Sequence, residues 1–223
     1  QYTLEAVEFL FSKNCPLIIL ACNTSSAKAL RNIQQNILPS NYPNKKVLGV
    51  IRPTTEEVGN ISISGYIGIM GTAGTVVSNS YPLEIAKFSP NVSVIQQSCP
   101  MWVPLVENNT LMEEGGQYYI QKYVDELLEK EPRIDTIVLA CTHYPMLKHS
   151  IEQFLPKGVK LFDQGDLVAL KLNDYLKRHS KIDNLISKNG KVEILTSESS
   201  EKFDDHLNLF YEANHQSKRV QIS

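Results

Sequence analysis

Ile18-Ile19-Leu20-Ala21-Cys22-Asn23-Thr24 and Ile137-Val138-Leu139-Ala140-Cys141-Thr142-His143 are two versions of one pattern. Each is an apolar run of strand length that closes on Ala-Cys, passes through small hydroxyl or amide residues and enters a stretch with helical periodicity. In open parallel α/β sheets, ligands bind beyond the carboxyl ends of the strands, where loops run into helix N-termini. The repeat therefore predicts two similar α/β domains, each presenting one cysteine at the same kind of site.

Outward from these two segments the chain keeps alternating between short apolar runs and helical stripes, the mark of a parallel α/β architecture. Strands are expected at 17–21, 47–51, 66–70, 92–96, 134–140, 159–162 and 192–195. The helix after the first strand carries Ala27, Leu30, Ile33 and Ile37 and is expected to stop before Pro39. Helices are also expected after Pro53, over 82–88, 116–130, 167–178 and 202–211, and on Leu147, Ile151 and Phe154. Polar stretches at 39–46 and 182–191 read as loops or hinges.

The chain has 223 residues with 22 Lys+Arg against 24 Asp+Glu, so no charge excess invites nucleic acid or an anionic membrane. Its longest purely apolar runs are about five residues, far below the roughly 20 that span a bilayer. The expectation is a soluble globular protein. The four cysteines at 15, 22, 99 and 141 show no C-x-x-C spacing of a zinc or redox motif. Free thiols in a reducing, cytoplasmic setting are expected, with no metal. The sequence opens on Gln1 and enters an amphipathic pattern at once (Leu4, Val7, Leu10, Phe11), so further residues are expected to precede it in the natural polypeptide.

A cysteine at a strand-to-helix turn sits beside unsatisfied backbone N–H groups and the positive end of a helix dipole, a setting that lowers a thiol pKa. The same N–H groups, with Asn23, Thr24, Ser25 and Thr142, can hold a carboxylate. Two such loops facing one another would put a thiol on each side of a small carboxylate substrate. One thiolate removes a proton from carbon while the opposite thiol returns one to the other face, which inverts a stereocentre without a cofactor. A free cysteine after a buried strand is most often a small core residue; it is the matched pair that argues for chemistry. Cys15 and Cys99 read as packing residues.

His143, two residues past Cys141, is placed to tune that thiol or shuttle its proton, or else only to cap a helical turn. Gly71-Thr72-Ala73-Gly74-Thr75 follows a strand but lacks the ending of a P-loop and the spacing of a dinucleotide fingerprint, so alone it is a weak anion-site signal. Glu107 stands alone after an apolar loop, and Lys28 falls on a helix face turned to solvent.

Ala21-Cys22-Asn23-Thr24-Ser25-Ser26-Ala27 and Ala140-Cys141-Thr142-His143-Tyr144-Pro145 resemble glutamate racemases of the aspartate/glutamate racemase superfamily. Gly71–Thr75 and Cys99-Pro100-Met101-Trp102-Val103-Pro104-Leu105-Val106-Glu107 match in the same order. The resemblance implies cofactor-independent interconversion of L- and D-glutamate, which supplies D-glutamate for bacterial peptidoglycan. It makes Cys22 and Cys141 the acid/base thiols, with His143 assisting Cys141. It places Asn23, Thr24, Thr72, Thr75 and Thr142 around the substrate and Glu107 behind them. It also implies two parallel-sheet α/β domains related by a pseudo-twofold axis, with the active site in the cleft between them, and a homodimer. The corresponding division is 1–46 plus 164–223 for the first domain and 47–163 for the second.

The family also carries an Asp-Ser-Gly motif and a Pro-Tyr-Gly loop before its first cysteine, and neither occurs here. A chain without them is expected to racemise weakly. Aspartate racemase is the nearest rival within the superfamily. Outside it stand a non-catalytic amino-acid-binding module, which needs a cleft but not two thiols, and a cysteine hydrolase using Cys141 with His143, which makes Cys22 dispensable.

Overall fold

The computed structural model describes residues 1–211 and 215–222. Eight strands form among them: β1 Leu17–Leu20, β2 Lys46–Gly49, β3 Tyr66–Gly71, β4 Ser93–Ser98, β5 Thr136–Ala140, β6 Lys160–Phe162, β7 Ile194–Thr196 and β8 Ser217–Arg219. Every ladder is parallel. The strands make a four-stranded sheet in the order β4-β3-β5-β6 and two two-stranded sheets, β1-β2 and β7-β8. The parallel α/β class expected from the alternating pattern is the class that forms.

The four-stranded sheet is covered on both faces, and the alternation of its central strands shows how. Met70, Ile137 and Leu139 point into a core with Trp102, Ile120, Val124 and Leu127. Ile67, Ile69, Val138 and Ala140 point the other way, against Ile51, Val58, Tyr81 and Ile85. Each such buried side chain contributes about 1.5–3 kcal/mol. Gly68 is required on the first face. A Cβ there would lie 2.7 Å from a methyl of Leu127, so the helix Glu114–Lys130 rests directly on the β3 backbone. The sheet β1-β2 is thinner. Val7 and Phe11 of the helix Tyr2–Ser12 cover Ile18 and Val47, while Ile19, on the opposite face, remains 38% exposed.

Two expectations need correction. β2 pairs residue for residue with β1, Leu17 opposite Lys46 and Leu20 opposite Gly49. The boundary expected at 46/47 would cut that ladder. The second unit instead begins after Gly49, with the helix Ile51–Ile61 whose Ile51 and Val58 pack on the four-stranded sheet. The helix expected to stop before Pro39 continues to Asn41. Proline lacks an N–H and crowds the carbonyl four residues back. The chain accommodates it with a π-helical turn at Ile33–Ile37, which widens the ladder just ahead of the ring. Residues 164–223 supply the helix Gly165–Arg178, joined to the helix Ile51–Ile61 by Lys171 Nζ to Glu57 Oε1 at 2.5 Å. The strands β7 and β8 form a sheet of their own.

At the amino end of β5, Asp135 fastens the 62–65 turn. Its carboxylate accepts from Ser62 Oγ (2.6 Å), from the backbone N–H groups of Ile63 (2.7 Å) and Ser64 (2.6 Å), and from Thr136 Oγ1 (3.0 Å). Partial burial pushes the group up, but the four hydrogen bonds outweigh it and hold its pKa at about 2. A carboxylate depressed in the folded state stabilises fully above its unfolded pKa near 4, and that contribution disappears as pH falls through about 2. Asp135→Asn, which removes the charge and puts an amide N–H2 where Oδ1 accepts from the Ser62 and Thr136 hydroxyls, is expected to cost about 1–3 kcal/mol at pH 7. The difference from the parent should shrink between about pH 4 and pH 2, as read by chemical denaturation across that range.

Candidate active site

The ladder register determines which residues meet at the carboxyl edge. Gly71 of β3 lies opposite Ser98 of β4 and opposite Ala140 of β5. The next residues, Cys99, Thr72 and Cys141, therefore leave the sheet side by side. The chain passes from β3 to β4 on one side and returns to place β5 on the other, so β3 and β5 flank a topological switch point, where the outgoing loops diverge and leave a crevice.

Cys141 is the first residue beyond β5 and is 9% exposed. Its Sγ lies 3.9 Å from His143 Nδ1, and His143 Nε2 lies 3.1 Å from Glu107 Oε1 at the end of the helix Trp102–Glu107. The Glu107 carboxylate accepts a hydrogen bond from Nε2–H, which leaves the Nδ1 lone pair facing the thiol. The relay is braced from below. The Tyr144 hydroxyl donates to the Cys99 carbonyl (3.0 Å), and the Tyr144 ring packs edge-on to Trp102 at 4.8 Å between centroids. Cys99 is wholly buried and packs in this brace, as the sequence reading has it. Thr142 stands exposed beside Cys141.

The expectation of a lowered thiol pKa is reversed at Cys141. Burial pushes it up, hydrogen bonds from the backbone N–H groups of His143 and Thr142 pull it down, and the charges of Cys22 and Glu107 push it up again. The loop leads into a 3-10 turn, Tyr144–Leu147, and then the helix Lys148–Glu152, and burial still outweighs what the backbone N–H groups supply.

Cys22 caps the helix Asn23–Lys28 with extended backbone, and its thiol is exposed. Thr24 Oγ1 lies 2.8 Å from Thr72 Oγ1 and 3.1 Å from Thr75 Oγ1, and the last two are 3.2 Å apart. Three hydroxyls expected around a substrate thus meet across the two sheets. Thr72 is also the N-cap of the helix Ala73–Val77, accepting from the Thr75 N–H. Gly74 allows this contact, since a Cβ there would lie 2.9 Å from the Thr24 methyl. Asn23 is only 3% exposed and turns inward, its amide donating to Tyr81 Oη (2.7 Å) and Gln164 Oε1 (3.0 Å).

Tyr81, Gln164 and Ser26 escaped the sequence reading. Ser26 Oγ donates to the Leu20 carbonyl at 2.8 Å and accepts from the Val50 N–H at 3.4 Å, tying the Cys22 loop to β1 and to the end of β2. Tyr81 reads as a helix-start aromatic and Gln164 as a turn residue, and no spacing links residues so far apart in the chain.

A structure of a glutamate racemase, isoform RacE1 of Bacillus anthracis, superposes with a TM-score of 0.87 at 25% identity, over 99% of this chain and 79% of that one. The glutamate racemase of Francisella tularensis in complex with D-glutamate superposes at 0.82 and 26% identity, over 100% and 78%. The glutamate racemase of Streptococcus agalactiae is 33% identical over 205 residues, 92% of this chain and 74% of that protein. The chain belongs to the glutamate racemase family. A second family member, from Geobacter metallireducens, is 36% identical over 177 residues, and the match spans 63% of its length. No protein-family profile matches the chain. Among the described residues no helix is long and apolar enough to cross a membrane.

The contrast between the two thiols is directly testable. At pH 7.5 iodoacetamide is expected to label Cys22 at least tenfold faster than Cys141, by peptide mass spectrometry, because one is exposed and the other buried. The Cys141 rate should still be climbing above about pH 9, and Cys99 should react only after denaturation.

Proposed function

We propose that this chain interconverts L- and D-glutamate by two-base proton transfer between Cys22 and Cys141, with no cofactor. The observation that carries the reading is the Glu107–His143–Cys141 relay at the carboxyl edge of the sheet, where Thr72 and Thr75 meet Thr24, two residues past a second cysteine of the same sequence pattern. Cys141 is held as a thiol by burial, ready to give a proton to a carbanion face. To act as a base it passes its proton to His143 Nδ1, and Glu107 stabilises the imidazolium that results. Cys22 stands on the exposed loop and serves the opposite face of the α-carbon. The roles reverse with the direction of reaction.

Thr24, Thr72 and Thr75 donate to the substrate carboxylates in exchange for the hydrogen bonds that they make with one another. Thr142 and Asn23 complete the polar lining. Residues 164–223 are assigned with 1–49 to one unit, and the cleft lies between that unit and the four-stranded one. We assign the protein to the cytoplasm as a homodimer that supplies D-glutamate to peptidoglycan. The names of its relatives and the D-glutamate complex of the Francisella protein support glutamate over aspartate.

The test is deuterium incorporation at Cα of each glutamate enantiomer in D2O, which registers proton abstraction even where net turnover is slow. Each single variant, Cys22→Ser and Cys141→Ser, is expected to lower exchange at least 100-fold for one enantiomer, and the affected enantiomer should differ between the two. Aspartate exchanging faster than glutamate would overturn the substrate assignment. An activity indifferent to Cys22→Ser would point to a single Cys141–His143 nucleophile.

A further inference from the structure

The Cys22 loop poses a mechanical question. Its thiol is exposed and caps nothing with its side chain, so its position depends on its backbone. A base working on a carbon acid must be held to a few tenths of an ångström, because a misplacement of about 1 Å costs about 100-fold in rate.

Directly after Cys22, Asn23 enters a closed triangle. Asn23 Nδ2 donates to Tyr81 Oη at 2.7 Å and to Gln164 Oε1 at 3.0 Å, and Gln164 Nε2 donates to the same Tyr81 oxygen. The three corners come from three parts of the chain. Asn23 opens the helix after β1, Tyr81 lies on the helix Ser80–Phe88, and Gln164 is the N-cap of the helix Gly165–Arg178, two residues past β6. All three are buried, at 3%, 0% and 8% exposure. Buried polar groups lose most when a partner is removed, so the triangle is stiff.

It also differs in kind from the other tie between the two sheets. The Thr24–Thr72–Thr75 hydroxyls lie at the carboxyl edge, where Thr24 and Thr72 keep some exposure, and in the proposed function they turn to a carboxylate. The triangle faces protein and persists through the reaction cycle.

We infer that Tyr81 and Gln164 are positioning residues that hold the Cys22 loop, through Asn23, against the unit that carries Cys141. The inference rests on the two-thiol reading above. Burial keeps the Tyr81 hydroxyl protonated far beyond the ordinary tyrosine range, and charge on Cys141 acts in the same direction. Tyr81 is thus a neutral hub at any working pH.

Tyr81→Phe removes the shared oxygen, and Gln164→Leu removes the third corner while leaving the Tyr81 hydroxyl for Asn23. Cys22→Ser first identifies the enantiomer whose Cα exchange Cys22 serves. For that enantiomer both positioning variants are expected to lower exchange tenfold or more at saturating glutamate, with KM within threefold. Exchange of the opposite enantiomer should stay within threefold. Backbone amide hydrogen exchange over residues 22–28 should accelerate about tenfold in both variants, with the Glu114–Lys130 helix unchanged. Equal losses for both enantiomers would mark a merely structural role and overturn the proposal, as would unchanged exchange in both variants. If the parent protein exchanges neither enantiomer, the glutamate reading fails. Amide protection then decides the positioning claim alone, and unaltered protection over 22–28 overturns it.

Discussion

Gly71 lies level with Ser98 on one side and with Ala140 on the other, and the chemistry of this protein depends on that alignment. Parallel pairing lets the strands end together, and the backbone ladder, not the side chains, sets where they end. Because β3 and β5 stop in line, Thr72 and Cys141 emerge as neighbours. Because the chain leaves β3 in one direction and reaches β5 from the other, the loops that follow them diverge. Slipping one strand by a single residue would turn Met70 or Leu139 to the wrong face and carry the site residues away with them. The two apolar cores of the sheet therefore hold the crevice in place.

The two cysteines share a sequence pattern but not an environment. Cys141 leaves a strand whose five residues are all buried between neighbours and covering helices. Cys22 leaves a strand with one partner, in a sheet whose other face still exposes Ile19. One thiol is consequently desolvated and linked to a histidine and a carboxylate, and the other is open. A two-base reaction needs opposed groups but does not need them alike: the buried member gains a proton relay that the exposed member can do without. The seam between the units has a matching division. A cluster of three hydroxyls joins the two sheets at the carboxyl edge, and a buried amide–phenol triangle joins them through Asn23.

Much of this was legible in the linear pattern. The runs at 66–70 and 134–140 read as buried strands because β-branched and apolar residues are continuous there, and a strand covered on both faces needs no alternation. The repeat of Ala-Cys after a strand marked both thiols, since strand-to-helix turns are where α/β sheets bind ligands. His143 was marked by its nearness to Cys141. Other features could not be read. Pro39 signals a helix end by every local rule, yet a π-helical turn absorbs it. The helix-terminus rule predicted a lowered thiol pKa, whereas burial reverses it at Cys141.

The sequence by itself determined the parallel α/β class, the two cysteine loops and the family, because each is encoded in residues close together in the chain: periodicity, turn chemistry and short motifs. Only the tertiary structure decided that β2 pairs with β1, that Glu107 reaches His143 from 36 residues away, and that Asn23 is held by Tyr81 and Gln164, 58 and 141 residues distant. The physical reason is that such contacts follow from strand register and helix packing, which arise from the burial of many side chains at once. No single residue type announces its distant partner.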